Sequence, residues 1–159
     1  MSDLQTLYQT IILEHSKARH GAMDLTPLAD AVVLGAASGL RVAESHQDNT
    51  TCGDEVTLRV SLDTDTVTEL VWTGDGCSIS QSSASILTDT LRGLDTTAAR
   101  ALLENFREML RSRGKIEPDE EILGDAAAFG GVSRYPARVK CAMLPWVAFE
   151  AALIEAESK

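Results

Sequence analysis

A three-stranded antiparallel sheet with flanking helices is what the hydrophobic pattern of this 159-residue chain predicts. Between residues 40 and 74 apolar and polar residues alternate with period two, the spacing of a half-buried strand. Before and after that stretch, apolar residues recur with the three-and-four spacing of helices. The segment DTDT at 63–66 reads as a hairpin turn, so a meander is the simplest connection.

Taken in order, residues 2–18 read as an amphipathic helix with Leu4, Leu7, Tyr8, Ile11 and Ile12 on one face. Ser2 and Gln5 fit a capping box, and Gly21 marks the far end. Residues 19–40 mix small and apolar residues and read as loop with short structure. LRVAESH is the first strand, EVTLRVSLD the second and VTELVWTG the third. In the second, Val56, Leu58, Val60 and Leu62 share a face. Gly74-Asp75-Gly76-Cys77 breaks the pattern, and SISQSSASILTDTLRG follows as a helix whose small first turns admit another backbone. Residues 95–114 form a second amphipathic helix, capped by Asp95 or Thr96, with Leu102, Leu103, Phe106, Met109 and Leu110 inward. Residues 119–129 are expected to form a short helix. The last helix starts at Pro136, which suits a first helical position. Pro145 within it removes the hydrogen bond to the Cys141 carbonyl, so a kink or local opening is expected beside that cysteine.

The length suits one domain, 1–159, with its own core. Aromatics make up only 4%, so that core rests on Leu, Ile, Val and Ala. The net charge of −10 argues against nucleic acid as the main partner. No stretch has the length and apolarity of a membrane span, and the first residues lack the basic region and cleavage site of a secretory signal. A cytoplasmic protein is expected. There, three widely spaced cysteines make a poor disulfide framework, and metal or thiol chemistry competes with simple burial as small hydrophobes.

Their settings favour chemistry. Cys52 stands beside Gly53 and Asp54 in TCGDEV, a thiol and a carboxylate two residues apart. Cys77 lies at a helix N-terminus, where free N–H groups favour a thiolate. Cys141 follows Arg138 by one helical turn. Three thiolates and one carboxylate make a tetrahedral zinc set, and soft sulfurs suit zinc or iron–sulfur chemistry over magnesium or calcium. With a divalent cation such a set carries about −2, which Arg138 could partly offset. No CxxC pair supports a zinc finger. His15, His20 and His46 are isolated and read as surface or structural residues, GDGCSIS lacks the Gly-Lys-Ser/Thr of a phosphate loop, and EPDEE reads as a solvated face.

TCGDEV, GDGCSISQSSASILTD and RYPARVKCAMLPW, with LYQTIILEHSK before them, together resemble the SufU branch of the IscU-like (NifU N-terminal) iron–sulfur assembly family. Lys140 occupies the position where IscU proteins usually carry a histidine, and AARALLENFREMLRSRG resembles the helical insertion of the SufU branch. The family's Asn-Pro before the Cys-Gly-Asp turn is replaced by Asn49-Thr50-Thr51, and residues 19–48 match poorly. The resemblance implies an α+β fold and zinc held by Cys52, Asp54, Cys77 and Cys141. It implies that Cys52 accepts persulfide sulfur from a SufS-type, PLP-dependent cysteine desulfurase. It also implies that Arg138 sits close to the metal. The final sulfur recipient, a downstream Suf scaffold or another protein, is left open by the sequence. The expected activity is sulfur transfer and not stand-alone hydrolysis. A scaffold building an iron–sulfur cluster on the same ligands, and an adaptor with structural zinc, are the alternatives. A zinc hydrolase or deaminase is not expected, because four protein ligands leave no water site and the His-x-Glu and Pro-Cys-x-x-Cys signature is absent.

Overall fold

The computed structural model describes residues 2–159. Helix α1 (Asp3–Ala18) begins with the expected capping box, in which the Ser2 side chain accepts the Gln5 N–H and the Gln5 side chain accepts the Ser2 N–H. Helix α2 (Leu28–Ala37) follows, then strands β1 (Arg41–Asn49), β2 (Asp54–Asp63) and β3 (Thr66–Asp75). They pair as an antiparallel meander in the order β1-β2-β3, as the alternation requires. Helices α3 (Ser78–Leu91), α4 (Thr96–Arg111), α5 (Glu120–Leu123) and α6 (Pro136–Glu157) complete the chain, with 3-10 turns over Gly124–Arg134 between the last two.

Two expectations are corrected. Residues 19–40 contain the ten-residue helix α2. Leu28, Ala31, Val32 and Gly35 fall at helical spacing and face inward, but exposed Val33 and Leu34 blur the stripe that would have revealed it. Gly35 lies so close to β1 that a side-chain carbon there would strike Val42. The short helix expected over 119–129 is the four-residue α5, and the run of Ala and Gly after it closes into tighter 3-10 turns.

The core lies between the sheet and the helices. Leu58, Val60 and Leu62 of β2 and Leu70 and Trp72 of β3 are fully buried. Helix α6 packs across β1 and β2 and against α3. Phe106 of α4 stacks on Trp146 of α6 at 4.1 Å and meets Phe129 edge-on. Ser80, Ser82, Ser83, Ala84 and Ser85 of α3 are buried, because their small side chains let α1 and α6 approach from both sides. The Ser83 hydroxyl bridges the two helices, donating to the Ala142 carbonyl and accepting from the Trp146 indole N–H. Helix α6 continues unbroken through the buried Pro145, so this α3 contact braces the turn that holds Cys141.

Candidate metal centre

Strand register assembles the site. Asn49 pairs with Asp54, leaving residues 50–53 as the loop that carries Cys52. The Asn49 side chain accepts the Thr51 N–H, so it forms the turn without a following proline. Gly53 takes a φ of +75°, a conformation that favours glycine, and donates its N–H to the Asn49 carbonyl. On the other edge Glu55 pairs with Asp75, so Gly76 and Cys77 leave β3 alongside Asp54. Cys77 is then the N-cap of α3. Cys141, on the second turn of α6, arrives from above the sheet.

These three routes converge on Asp54. The carboxylate is almost fully buried, with Oδ1 accepting the Cys77 backbone N–H at 2.8 Å and Oδ2 facing the Cys77 Sγ at 3.3 Å. Cys52 Sγ lies 3.4 Å from Cys141 Sγ. One donor atom each from Cys52, Asp54 and Cys141 falls within 4.8 Å of the others, and Cys77 adjoins them through Asp54. Cys52 and Cys77 are exposed and Cys141 is buried. A side chain on Gly76 would collide with the Asp54 carboxylate, so glycine keeps that carboxylate in place.

The electrostatics are those of crowded acids. Burial pushes the Asp54 carboxyl upward, but the Cys77 N–H and the thiols of Cys141, Cys52 and Cys77 outweigh it and hold the group below its usual range. Burial pushes the Cys141 thiol far up, and Asp54, Cys52 and Cys77 push it further. Among the described residues no cationic side chain pairs with Asp54. The donor set fits zinc. Zn–S bonds of about 2.3 Å and Zn–O bonds of about 2.0 Å set tetrahedral S···S and S···O edges of about 3.8 and 3.5 Å. The observed 3.4 and 3.3 Å lie near those edges.

The structure therefore brings Cys52, Asp54, Cys77 and Cys141 to one end of the sheet. Arg138 lies one helical turn before Cys141 and forms no ion pair with Asp54 among the described residues. That side chain is exposed, with its guanidinium 5.1 Å over the Tyr135 ring and no hydrogen bond to the cluster. His46 is exposed on β1 and bonds Thr57. His15 and His20 form a separate cluster with Ser85, Asp89 and Asp125 that sequence reasoning did not find, because its members lie on three distant segments. No helix among the described residues is long and apolar enough to cross a membrane.

The chain is 36% identical over 156 residues to the zinc-dependent sulfurtransferase SufU of Bacillus subtilis (strain 168), covering 98% of this chain and 95% of the relative. It is 34% identical over 155 residues to the iron–sulfur cluster assembly scaffold protein IscU of Streptococcus pyogenes serotype M1, covering 96% and 86%. Among solved structures, a proposed SUF-system cluster assembly scaffold (SufU) from Fervidobacterium islandicum AW-1 superposes with a TM-score of 0.72 at 31% identity, covering 93% and 97%. The model of the NifU-like N-terminal domain matches residues 30–142, from α2 to the turn of α6 that carries Cys141, and the chain belongs to that family.

Proposed function

We propose that this protein accepts sulfane sulfur on Cys52 from the persulfide of a SufS-type, PLP-dependent cysteine desulfurase and passes it into iron–sulfur cluster assembly. Cys52, Asp54, Cys77 and Cys141 would hold a zinc ion. The observation that carries this reading is an exposed thiol on a glycine-hinged loop, set 3.4 Å from a buried thiol and above a buried carboxylate. Bound zinc would supply positive charge that keeps its sulfur ligands deprotonated at neutral pH.

The chain's own residues do the rest. Cys52 presents its sulfur at the surface, where a donor protein can reach it. Its thiolate attacks the outer sulfur of the donor persulfide. One S–S bond forms on Cys52 as the donor's S–S bond breaks, and the electron pair leaves with the donor thiolate. No net oxidation occurs. Asp54 is held in orientation beneath Cys52 by the Cys77 N–H.

The second reading is a cluster scaffold on the same donors, favoured by the IscU relative. Lys140 weighs against it: this exposed residue stands just before Cys141, and no histidine joins the thiol cluster among the described residues. The test is desulfurase turnover with zinc-loaded protein, wild type against Cys52→Ala, with mass spectrometry of the product. We expect strong activation and a one-sulfur adduct on the wild type, and neither from a variant that still binds zinc. Full transfer by the variant, or uptake of iron and sulfide in place of sulfane sulfur, would overturn it. A purely structural zinc predicts instead that the variant unfolds, since such zinc supplies on the order of 10 kcal/mol to folding.

A further inference from the structure

Beside the metal centre an open groove of about 830 Å³ runs between α1 and the segments around residues 114–118 and 130–138. Its walls are mostly apolar, with Tyr8 and Ile12 of α1 facing Ile116 and Val132. Leu4 and Leu13 stand at its mouth, 45% and 54% exposed. Its charges are unbalanced. Lys115, Arg134 and Arg138 line it against Glu117, with Glu120 bonded to the Tyr8 hydroxyl at its wall, and none of the three cations is in an ion pair among the described residues. This local excess of positive charge sits on a chain of net charge −10. One end of the groove reaches Ile79, two residues past Cys77, and Arg138, three residues before Cys141.

We propose that this groove docks the sulfur donor protein, seating a segment in which carboxylates flank one or two large apolar side chains. This assignment rests on reading Cys52 as the sulfur acceptor. Apolar walls supply burial at the centre of an interface, and unpaired cations at its rim steer and orient an acidic partner. The overall negative charge disfavours nucleic acid and also a second copy of this chain, which would bring two net charges of −10 together. A donor seated here lies next to the donor-atom cluster, so the groove sets which part of its surface meets Cys52. Arg138 lines this groove, with its guanidinium over the Tyr135 ring.

The test uses the zinc-loaded full chain and a purified PLP-dependent desulfurase, comparing wild type with the Lys115→Glu/Arg134→Glu double variant. The KM for the desulfurase is expected to rise about tenfold or more, with kcat at saturation unchanged and the salt dependence flattened. Transfer to Cys52 from a low-molecular-weight alkyl persulfide should stay at the wild-type rate, as should zinc content. The milder Lys115→Gln/Arg134→Gln variant should show a smaller rise in KM, which excludes misfolding as the cause. An unchanged KM and salt dependence in both variants, with wild-type transfer intact, would overturn the groove assignment alone. A wild type that takes sulfur from neither donor would overturn the reading of Cys52, and the groove with it. A dimer of the wild type that is lost in the variant would give the groove to a second copy and also overturn the proposal.

Discussion

Among the described residues two clusters of side chains could hold a metal ion, and they differ in what their lone pairs already touch. At one, His15 is buried between α1, α3 and the 3-10 segment. Its Nδ1 lies 2.8 Å from the Ser85 hydroxyl and its Nε2 lies 3.0 Å from Asp125. Ser85 also accepts the His20 N–H, and His20 Nδ1 lies 2.6 Å from Asp89. The His15 tautomer with its proton on Nε2 satisfies both bonds of that ring: Nε2–H donates to Asp125 and the Ser85 O–H donates to Nδ1. At the other cluster, four acids face one another with no basic partner, and one thiol opens to solvent. Ligand-type residues within a few ångströms of each other are common to both. In the histidine cluster the facing groups already pair with one another and clasp α1 to α3 and the 3-10 segment. In the cysteine cluster acids face one another, a donor set that suits a soft divalent cation.

The largest expected effect separates the two clusters directly. Asp54→Ala removes one donor and the acceptor of the Cys77 N–H, so zinc affinity should fall by about 100-fold or more. Competition with a chromophoric chelator measures it, and wild-type affinity would show that the carboxylate is no part of the site. His15→Ala is the converse. It leaves Ser85 and Asp125 without their partner, which should lower stability by about 1–3 kcal/mol in denaturant unfolding. Zinc stoichiometry should not change, and parallel loss of metal would show that the clusters are one system. The smallest effect comes from the partly exposed Arg100–Glu157 pair, which sets the scale for an ordinary surface contact. The hydrogen bond from Arg100 holds the Glu157 carboxyl below its usual value. The folded pKa thus lies below the unfolded one, so the stabilisation is complete above about pH 4.3 and is lost as pH falls through the folded value. Arg100→Ala should cost about 0.2–1 kcal/mol at pH 7. The gap from wild type should close on acidification, and a gap that persists at pH 2 would mean the loss is one of packing.

The meander was legible because β2 alternates strictly and its neighbours are joined by short turns. Helix α4 was legible because one face is apolar and the other charged. Helix α2 was not, since Val33 and Leu34 point outward and only its contact with β1 separates the inner from the outer apolar residues. Cys52, Asp54, Cys77 and Cys141 were each marked in the sequence by a glycine turn, a helix start or a nearby cation. The placement of Arg138 was not marked: helical spacing puts its backbone one turn from Cys141, but the Tyr135 ring decides where its guanidinium rests.

The sequence by itself determined the elements that carry the thiols, because hydrophobic period, glycine turns and caps act within a few residues of each other. It also determined the donor chemistry, since three sulfurs and a carboxylate belong to residue type. Only the tertiary structure decided that these donors meet. Strand register places Asp54 between Asn49 and the start of α3, and the packing of α6 over β1 and β2 delivers Cys141 from 89 residues beyond Cys52. The same long-range packing closes the histidine clasp across 110 residues and opens a cationic groove on an acidic chain. Such contacts follow from which surfaces exclude water together, a property of the whole fold that no short window of sequence contains.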